Sequence, residues 1–285
     1  MIVFPNCKIN LGLSIINKRN DGYHNLETIF YPLALTDALE IISSSREHPL
    51  AKTEPGIVNF SASGLQVTGS EIDNLCVKAY QLLQKDYPEI PSIQMHLLKA
   101  IPMGAGLGGG SADGAFVLRI LNTLFKLDLS TSELIAYAAK LGSDCPFFII
   151  NKPCYATGRG EIMEPLPLDL SGYTFALVNC GITINTAWAF TQLNHQIKDP
   201  VTQPVENFRD VVMQPVSNWK NILVNDFEQP VFVKYPAIKS IKEQLYKYGA
   251  IYASMSGSGS TVYGIFEKTT VPKLAFPAEC RVYKL

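Results

Sequence analysis

Apolar positions recur along the chain with two different periods, and these divide it into a series of elements. Near the N-terminus, Cys7, Ile9, Leu11, Leu13 and Ile15 alternate with Asn6, Lys8, Asn10, Gly12 and Ser14. A period of two marks a strand, so residues 2–16 are predicted extended, with Lys8 and Asn10 sharing one face. A turn is expected at Asn20-Asp21-Gly22, and further extended segments at 39–42, 57–60 and 93–98. Helical spacing takes over at 75–83, 112–125 and 132–141. In the middle one of these, Val117, Ile120, Leu121 and Leu124 form a stripe that must be buried. The mixture restarts beyond residue 165, with strands at 175–178, 251–254 and 262–266 and helices near 186–192 and 238–246. Residues 198–215 are polar, contain prolines and read as a surface connection.

The chain has 285 residues, enough for one large α/β domain or two ordinary ones, and the restart of the pattern favours two. Hydrophobic residues make up 47% and charged ones 17%, which excludes disordered and coiled-coil classes. With 24 Lys and Arg against 25 Asp and Glu there is no general basic field, so nucleic acid and anionic membranes are not expected partners. No apolar run reaches the roughly 18–20 residues of a membrane span, and no basic segment followed by a long apolar stretch opens the chain. The expectation is a cytoplasmic protein. Cys7, Cys76, Cys145, Cys154, Cys180 and Cys280 form no C-x-x-C pair, so neither zinc nor a disulfide framework is signalled. His24, His48, His96 and His195 show no metal-ligand spacing either.

The segment "PMGAGLGGGSAD", 102–113, lies between a predicted strand and a predicted helix. Backbone N–H groups freed of side chains and backed by a helix N-terminus make a phosphate site. The P-loop pattern fails, because Gly110 stands where that pattern requires lysine. A dinucleotide fingerprint matches formally at Gly104, Gly106 and Gly109, but a second helix follows the first where that fold needs a strand. A ligand-free turn would lose conformational entropy to no end with so many glycines. A nucleoside triphosphate held by a loop of neither standard type remains.

Three further stretches carry candidate chemistry. On the Lys8 face, an asparagine either side of the lysine and a nearby glycine suit close approach by a ligand, while a solvated lysine on a half-exposed strand is the alternative. The turn at Asp21-Gly22 presents Tyr23 and His24, able to stack on and hydrogen-bond a planar base, or simply to fill surface or core. In "GSDCPFF", Asp144 follows a helix end and either caps the next turn or does chemistry. A second glycine cluster, "SMSGSGST", offers Ser256, Gly257, Ser258 and Gly259 for another phosphate contact or a tight turn.

Taken in order, "KINLGLSIINKRNDGYHNLETIFYPL", "PMGAGLGGGSADGA", "LGSDCPFF", "ATGRGE" and "MSGSGST" resemble the GHMP kinases, the family of galactokinase, homoserine kinase and mevalonate kinase. The D-G-Y-H-x-L-E-T segment is similar to that of members whose substrate alcohol is an erythritol carried on a cytidine diphosphate. The resemblance implies an α+β fold in two parts: an N-terminal α/β nucleotide-binding domain over 1–165, ribosomal S5-like, and a C-terminal ferredoxin-like domain over 166–285, with the site in the cleft between. It implies phosphoryl transfer from ATP, with a magnesium ion, to the 2-hydroxyl of that erythritol, by a monomer or weak homodimer.

Residue by residue, the resemblance assigns ATP phosphate contacts to Pro102, Met103, Gly104, Ala105, Gly106, Leu107, Gly108, Gly109, Gly110, Ser111 and Ala112. Ser256, Gly257, Ser258 and Gly259 would close over the same region. Lys8 and Asp144 match the family's catalytic pair, and Ser111 is the candidate magnesium contact. Asn10, Tyr23, His24, Thr186 and Phe190 match the cytidine subsite, Tyr23 and Phe190 stacking on the base and His24 reading its edge. Trp188, two residues before Phe190, competes for the second stacking role. Arg159 sits between glycines where it either reaches a phosphate or stays solvated. Asn6-Cys7 departs from the Pro-Ala usual before the lysine, with little consequence expected because Cys7 points to the buried face. Another small-molecule kinase of the family, a silent binding protein on the same fold and a nicotinamide-dependent oxidoreductase remain the alternatives.

Overall fold

A computed structural model describes residues 1–43, 57–67, 69–193, 207–268 and 273–285. His48, His195 and the first part of the expected 198–215 connection lie outside the described residues. The chain divides into two compact units, each built from several segments. The first comprises Met1–Cys7, Ala34–Met103 and Gly108–Asn151; the second comprises Lys8–Leu33, Gly104–Leu107 and Lys152–Leu285.

The strands and helices of the N-terminal half run in the order β1 (Ile2–Val3), β2 (Asn6–Lys18), β3 (His24–Thr36), β4 (Ala38–Ser43), β5 (Val58–Gly64), α1 (Leu75–Asp86), β6 (Ile93–Lys99), α2 (Gly109–Phe125), α3 (Thr131–Leu141) and α4 (Cys145–Ile150). In the first unit the sheet order is β1-β4-β6-β5, with β5 parallel to β6 and the other pairs antiparallel. The parallel pair is joined through α1, as a crossover connection requires. The extended segment expected at 93–98 is β6, and burial alternates strictly along it: Ile93, Met95 and Leu97 are buried while Gln94, His96 and Leu98 are exposed. His96 is flanked on that open face by the hydroxyls of Ser61 and Ser63. Helix α2 begins at Gly109, three residues before its predicted start, and Val117, Ile120 and Leu121 are buried as expected while Leu124 is half-buried. Helix α3 opens on a capping box, Ser130 with Glu133.

The second unit holds two sheets. Strands β2, β3, β7 (Cys154–Thr157) and β8 (Ile162–Pro165) lie in that order. The 2–16 strand is interrupted at Phe4-Pro5, so β1 joins the first unit's sheet and β2 this one. The remaining elements are β9 (Tyr173–Asn179), α5 (Thr186–Leu193), α6 (Phe208–Val211), α7 (Glu228–Lys234), α8 (Pro236–Lys247), β10 (Tyr252–Met255), β11 (Val262–Glu267) and β12 (Arg281–Lys284). Sheet order β10-β11-β9-β12, antiparallel throughout, is the split arrangement of ferredoxin-like folds. Ile238, Ile241 and Leu245 give α8 its apolar stripe and pack with Val178, Val231, Met255 and Val262 in one core.

Two expectations need correction. The described end of the 198–215 connection is not a surface loop, because Phe208, Val211 and Val212 are buried and α6 carries them inward. An apolar trio at helical spacing outweighs the polar residues around it. Cys180 and Cys280, read as unpaired, form a disulfide. The antiparallel pairing of β9 with β12 sets Asn179 opposite Arg281 and so brings the two cysteines together across 100 residues, a separation that leaves no local signal. Cys7, Cys76, Cys145 and Cys154 stand outside any disulfide and are buried, as small hydrophobes.

Candidate active site

In the second unit the polar face of β2 is buried, which removes the solvated-lysine alternative for Lys8. The residue is only 4% exposed. Lys8 Nζ donates to Asn10 Oδ1 at 2.8 Å and lies 4.7 Å from the centroid of the Phe30 ring. Asn10 Nδ2 donates to Thr28 Oγ1 at 3.0 Å, and Thr28 Oγ1 to the Gly12 carbonyl at 2.5 Å. Asn10 is thus occupied on both ends of its amide and fixes the lysine's position. A buried ammonium is tolerated only with partners of this kind.

Two glycine turns interlock beside it. The Lys8 backbone N–H donates to Leu107 O at 3.0 Å, tying β2 to the Gly104–Leu107 segment. Ser256 Oγ donates to Gly106 O at 2.8 Å and accepts from the Asn10 backbone N–H at 3.2 Å. Thr261 N–H donates to Ala105 O at 3.2 Å. Gly106 has φ +79°, and a Cβ there would lie 1.9 Å from Ser256 O, so both conformation and space demand glycine. The 256–259 turn is braced from behind by Asn225, whose Nδ2 donates to Met255 O and Gly257 O at 2.7 and 2.8 Å. Asn225 was not singled out from the sequence, and an isolated asparagine in "VNDFE" offers no signal for this role.

The first unit carries the rest of the glycine segment: Pro102, Met103, and Gly108 onward into the first turn of α2. Ser111 lies there, and its hydroxyl contacts the Cys145 thiol, whose pKa burial pushes up to about 12. Asp144 immediately precedes Cys145 at the start of α4, and its side chain makes no capping bond, so the capping reading fails. Buried beneath that turn is a group the sequence reading missed: Lys99 Nζ pairs with Asp37 and, at 2.7 Å, with Asp113 Oδ2. Asp37 also accepts the backbone N–H groups of Ala100 and Ile101 at 2.6 and 2.9 Å. Asp113 Oδ1 is buried without a partner, and desolvation with Asp37 nearby raises its carboxyl to about 7 against the pull of Lys99. Lys99, Asp113, Ser70 and Asn74 line a cavity of ≈ 130 Å³.

The cytidine candidates all fall in the second unit. His24 is buried, stacked on Phe190 with centroids 5.1 Å apart and 19° between planes, and its Nε2 has no partner. Tyr23 is 55% exposed. Trp188 points elsewhere on α5, edge-on to Tyr235 with Lys234 Nζ 3.8 Å from its ring centroid. Phe190, not Trp188, is therefore the aromatic that joins His24. Thr186 Oγ1 meets Ser258 Oγ at 2.9 Å, linking α5 to the second glycine turn. Among the described residues no three His, Cys, Asp or Glu side chains cluster to hold a metal, and no helix is long and apolar enough to cross a membrane.

Comparison with known proteins places the chain. The descriptions "GHMP kinases N terminal domain" and "GHMP kinases C terminal" match residues 74–152 and 213–284. A 4-diphosphocytidyl-2-C-methyl-D-erythritol kinase from Bacteroides thetaiotaomicron is 50% identical over 279 residues, 96% of this chain and 95% of the relative. A crystal structure of a 4-(cytidine 5'-diphospho)-2C-methyl-D-erythritol kinase superposes with TM-score 0.74 at 30% identity, over 93% of this chain and 90% of that one. The mevalonate kinase of Methanococcus jannaschii gives TM-score 0.74 at 14% identity, over 100% and 97%, and shares the fold. The chain belongs to the GHMP kinases, in fold and in both family segments. Within them, at this identity over nearly its whole length, it belongs to the 4-diphosphocytidyl-2-C-methyl-D-erythritol kinase family.

Proposed function

We propose that the chain transfers the γ-phosphoryl group of ATP to the 2-hydroxyl of 4-diphosphocytidyl-2-C-methyl-D-erythritol, a step of isoprenoid precursor synthesis. The observation that carries this reading is Lys8, buried and fixed on Asn10 against two interlocked glycine turns. A phosphorylated ligand gives a reason to place an ammonium beside backbone turns of that kind.

Asp144 accepts the proton of the 2-hydroxyl as that oxygen bonds to the γ-phosphorus and the bond from phosphorus to the β–γ bridging oxygen breaks, releasing ADP. A free alcohol is far too weak an acid to ionise near neutrality, so a carboxylate base within about 2.6–3.2 Å makes chemical sense. Lys8 offsets the charge that develops, and loop amides over 102–112 and 256–259 orient the phosphates. In the first unit the Ser111 hydroxyl is an oxygen donor of the kind magnesium takes. That hydroxyl would help hold a magnesium ion carried in on the ATP phosphates. When bound, the ion neutralises phosphate charge. His24 Nε2, buried and unpartnered, reads the cytosine edge, and Tyr23 supplies a stacking face. The division at residue 165 into nucleotide-binding and C-terminal domains is part of the same proposal. An ADP-release assay comparing the cytidyl-erythritol substrate with mevalonate, homoserine and galactose tests it. Turnover of the first alone is expected, and preference for any other would overturn the assignment.

A further inference from the structure

The β7–β8 hairpin ends in Thr157-Gly158-Arg159-Gly160-Glu161, and this turn is built to a purpose. Gly158 has φ +69°, and a Cβ there would lie 2.8 Å from the Glu161 carboxylate. Its carbonyl accepts the Leu26 N–H at 2.7 Å, fastening the turn beside the start of β3. Glu161 folds back to accept the Arg159 N–H at 2.5 Å, and its other oxygen lies 3.9 Å from Arg159 Nε. The guanidinium is thereby set over the Tyr23 ring, its Cζ 4.6 Å from the centroid.

Tyr23 is held from its backbone as well: its N–H donates to Asp21 Oδ1 at 3.1 Å and its carbonyl accepts the Arg19 N–H at 2.7 Å. Arg19 itself is committed to Asp21 and Asn25. The bond from the Tyr23 N–H, then Arg19 and Arg159, hold the Asp21 carboxyl below its usual range. One ring face of Tyr23 is thus covered by a cation, while the residue as a whole stays 55% exposed. A bare tyrosine at a turn samples several χ1 rotamers; a guanidinium stacked on one face biases that choice and so orients the opposite face.

We propose that Arg159 is a positioning residue for the cytidyl substrate, holding the Tyr23 ring as a preset platform on which the base stacks. The inference rests on the reading that cytosine meets Tyr23. A cation–π contact at an exposed site is worth about 0.5–1 kcal/mol, which converts to a two- to fivefold effect. Arg159→Met keeps the alkyl stem and removes the charge. It raises the KM for the cytidyl substrate by about that factor, with kcat and the KM for ATP unchanged. Arg159→Lys restores part of the loss.

A double-mutant cycle with Tyr23→Ala separates this role from a merely structural one. In the Tyr23→Ala background Arg159→Met has no further effect. If Tyr23→Ala raises the cytidyl KM but Arg159→Met does not, or if the two losses simply add, the role of Arg159 is overturned and the base reading stands. If Tyr23→Ala leaves the cytidyl KM unchanged, the base reading and the inference fall together.

Discussion

Replacing Lys99 by Met tests the buried charge cluster beneath the first turn of α2. The two carboxylates it serves, on Asp37 and Asp113, have side chains 0% and 3% exposed. Removing one partner of a buried ion pair costs about 3–5 kcal/mol, because an uncompensated charge is left behind. Asp37 keeps its two backbone N–H donors, so the burden falls on Asp113. At about 2–4 °C per kcal/mol for a chain of this size, Tm falls by about 6–20 °C. The loss depends on pH. Asp113 already has its pKa raised to about 7 by desolvation and by Asp37, so the folded state favours its protonated form. Stability from that source is present below the unfolded value near 4 and lost as pH rises through about 7. Lys99→Met is therefore least harmful at about pH 5 and most harmful at about pH 8. Asp113→Asn, which leaves one ammonium facing one carboxylate, flattens the pH dependence and holds or raises Tm at about pH 8. Differential scanning calorimetry at both pH values reads all three proteins. A Tm for Lys99→Met within about 2 °C of the parent at both, under about 1 kcal/mol, would refute the reasoning.

The remaining predictions concern the site. Gly106→Ala forces a Cβ against Ser256 O, so the 104–107 segment shifts by roughly an ångström and turnover falls on the order of a hundredfold, with far-ultraviolet circular dichroism unchanged. Asp144→Asn keeps both substrates bound, measured by calorimetric titration, but lowers kcat by about two or more orders of magnitude; near-normal turnover would remove Asp144 from the mechanism. His24→Phe keeps the stack on Phe190 and deletes the unpartnered Nε2, raising the cytidyl KM about tenfold with ATP unaffected; equal loss for both ligands would count against base reading.

Elements with a sustained period were legible from the residues alone. The alternation of β2 and β6 and the stripes of α1, α2 and α8 each repeat often enough to fix the type of element. What escaped lacks a repeat. In β3 the run Thr28 to Pro32 has no clean alternation, because residues of both parities are buried along it, and Pro32 argues against a strand. Helix α4 has six residues, too few for a period. Of the site, the glycine turns, Lys8 and the Tyr23-His24 turn were visible because backbone and chemistry both constrain them locally. Asp37, Lys99 and Asp113, 62 and 14 residues apart, meet only through the sheet and helix that fold around them. Asn225 and the Cys180–Cys280 bond were hidden for the same reason.

The missing side chain at Gly106 makes two distant stretches of sequence heritable only as a pair. Ser256 O occupies the volume that any larger residue at 106 would need, and the Ser256 hydroxyl is bonded to both Gly106 and Asn10. Transplanting the 102–112 segment of another kinase of this fold into the chain would therefore import a loop whose matching turn had been left behind. Exchanging it together with 256–259 moves a complementary surface intact. Chimaeras carrying one segment should be inactive where chimaeras carrying both regain nucleotide binding, and natural sequence drift at either turn should be tracked by change at the other.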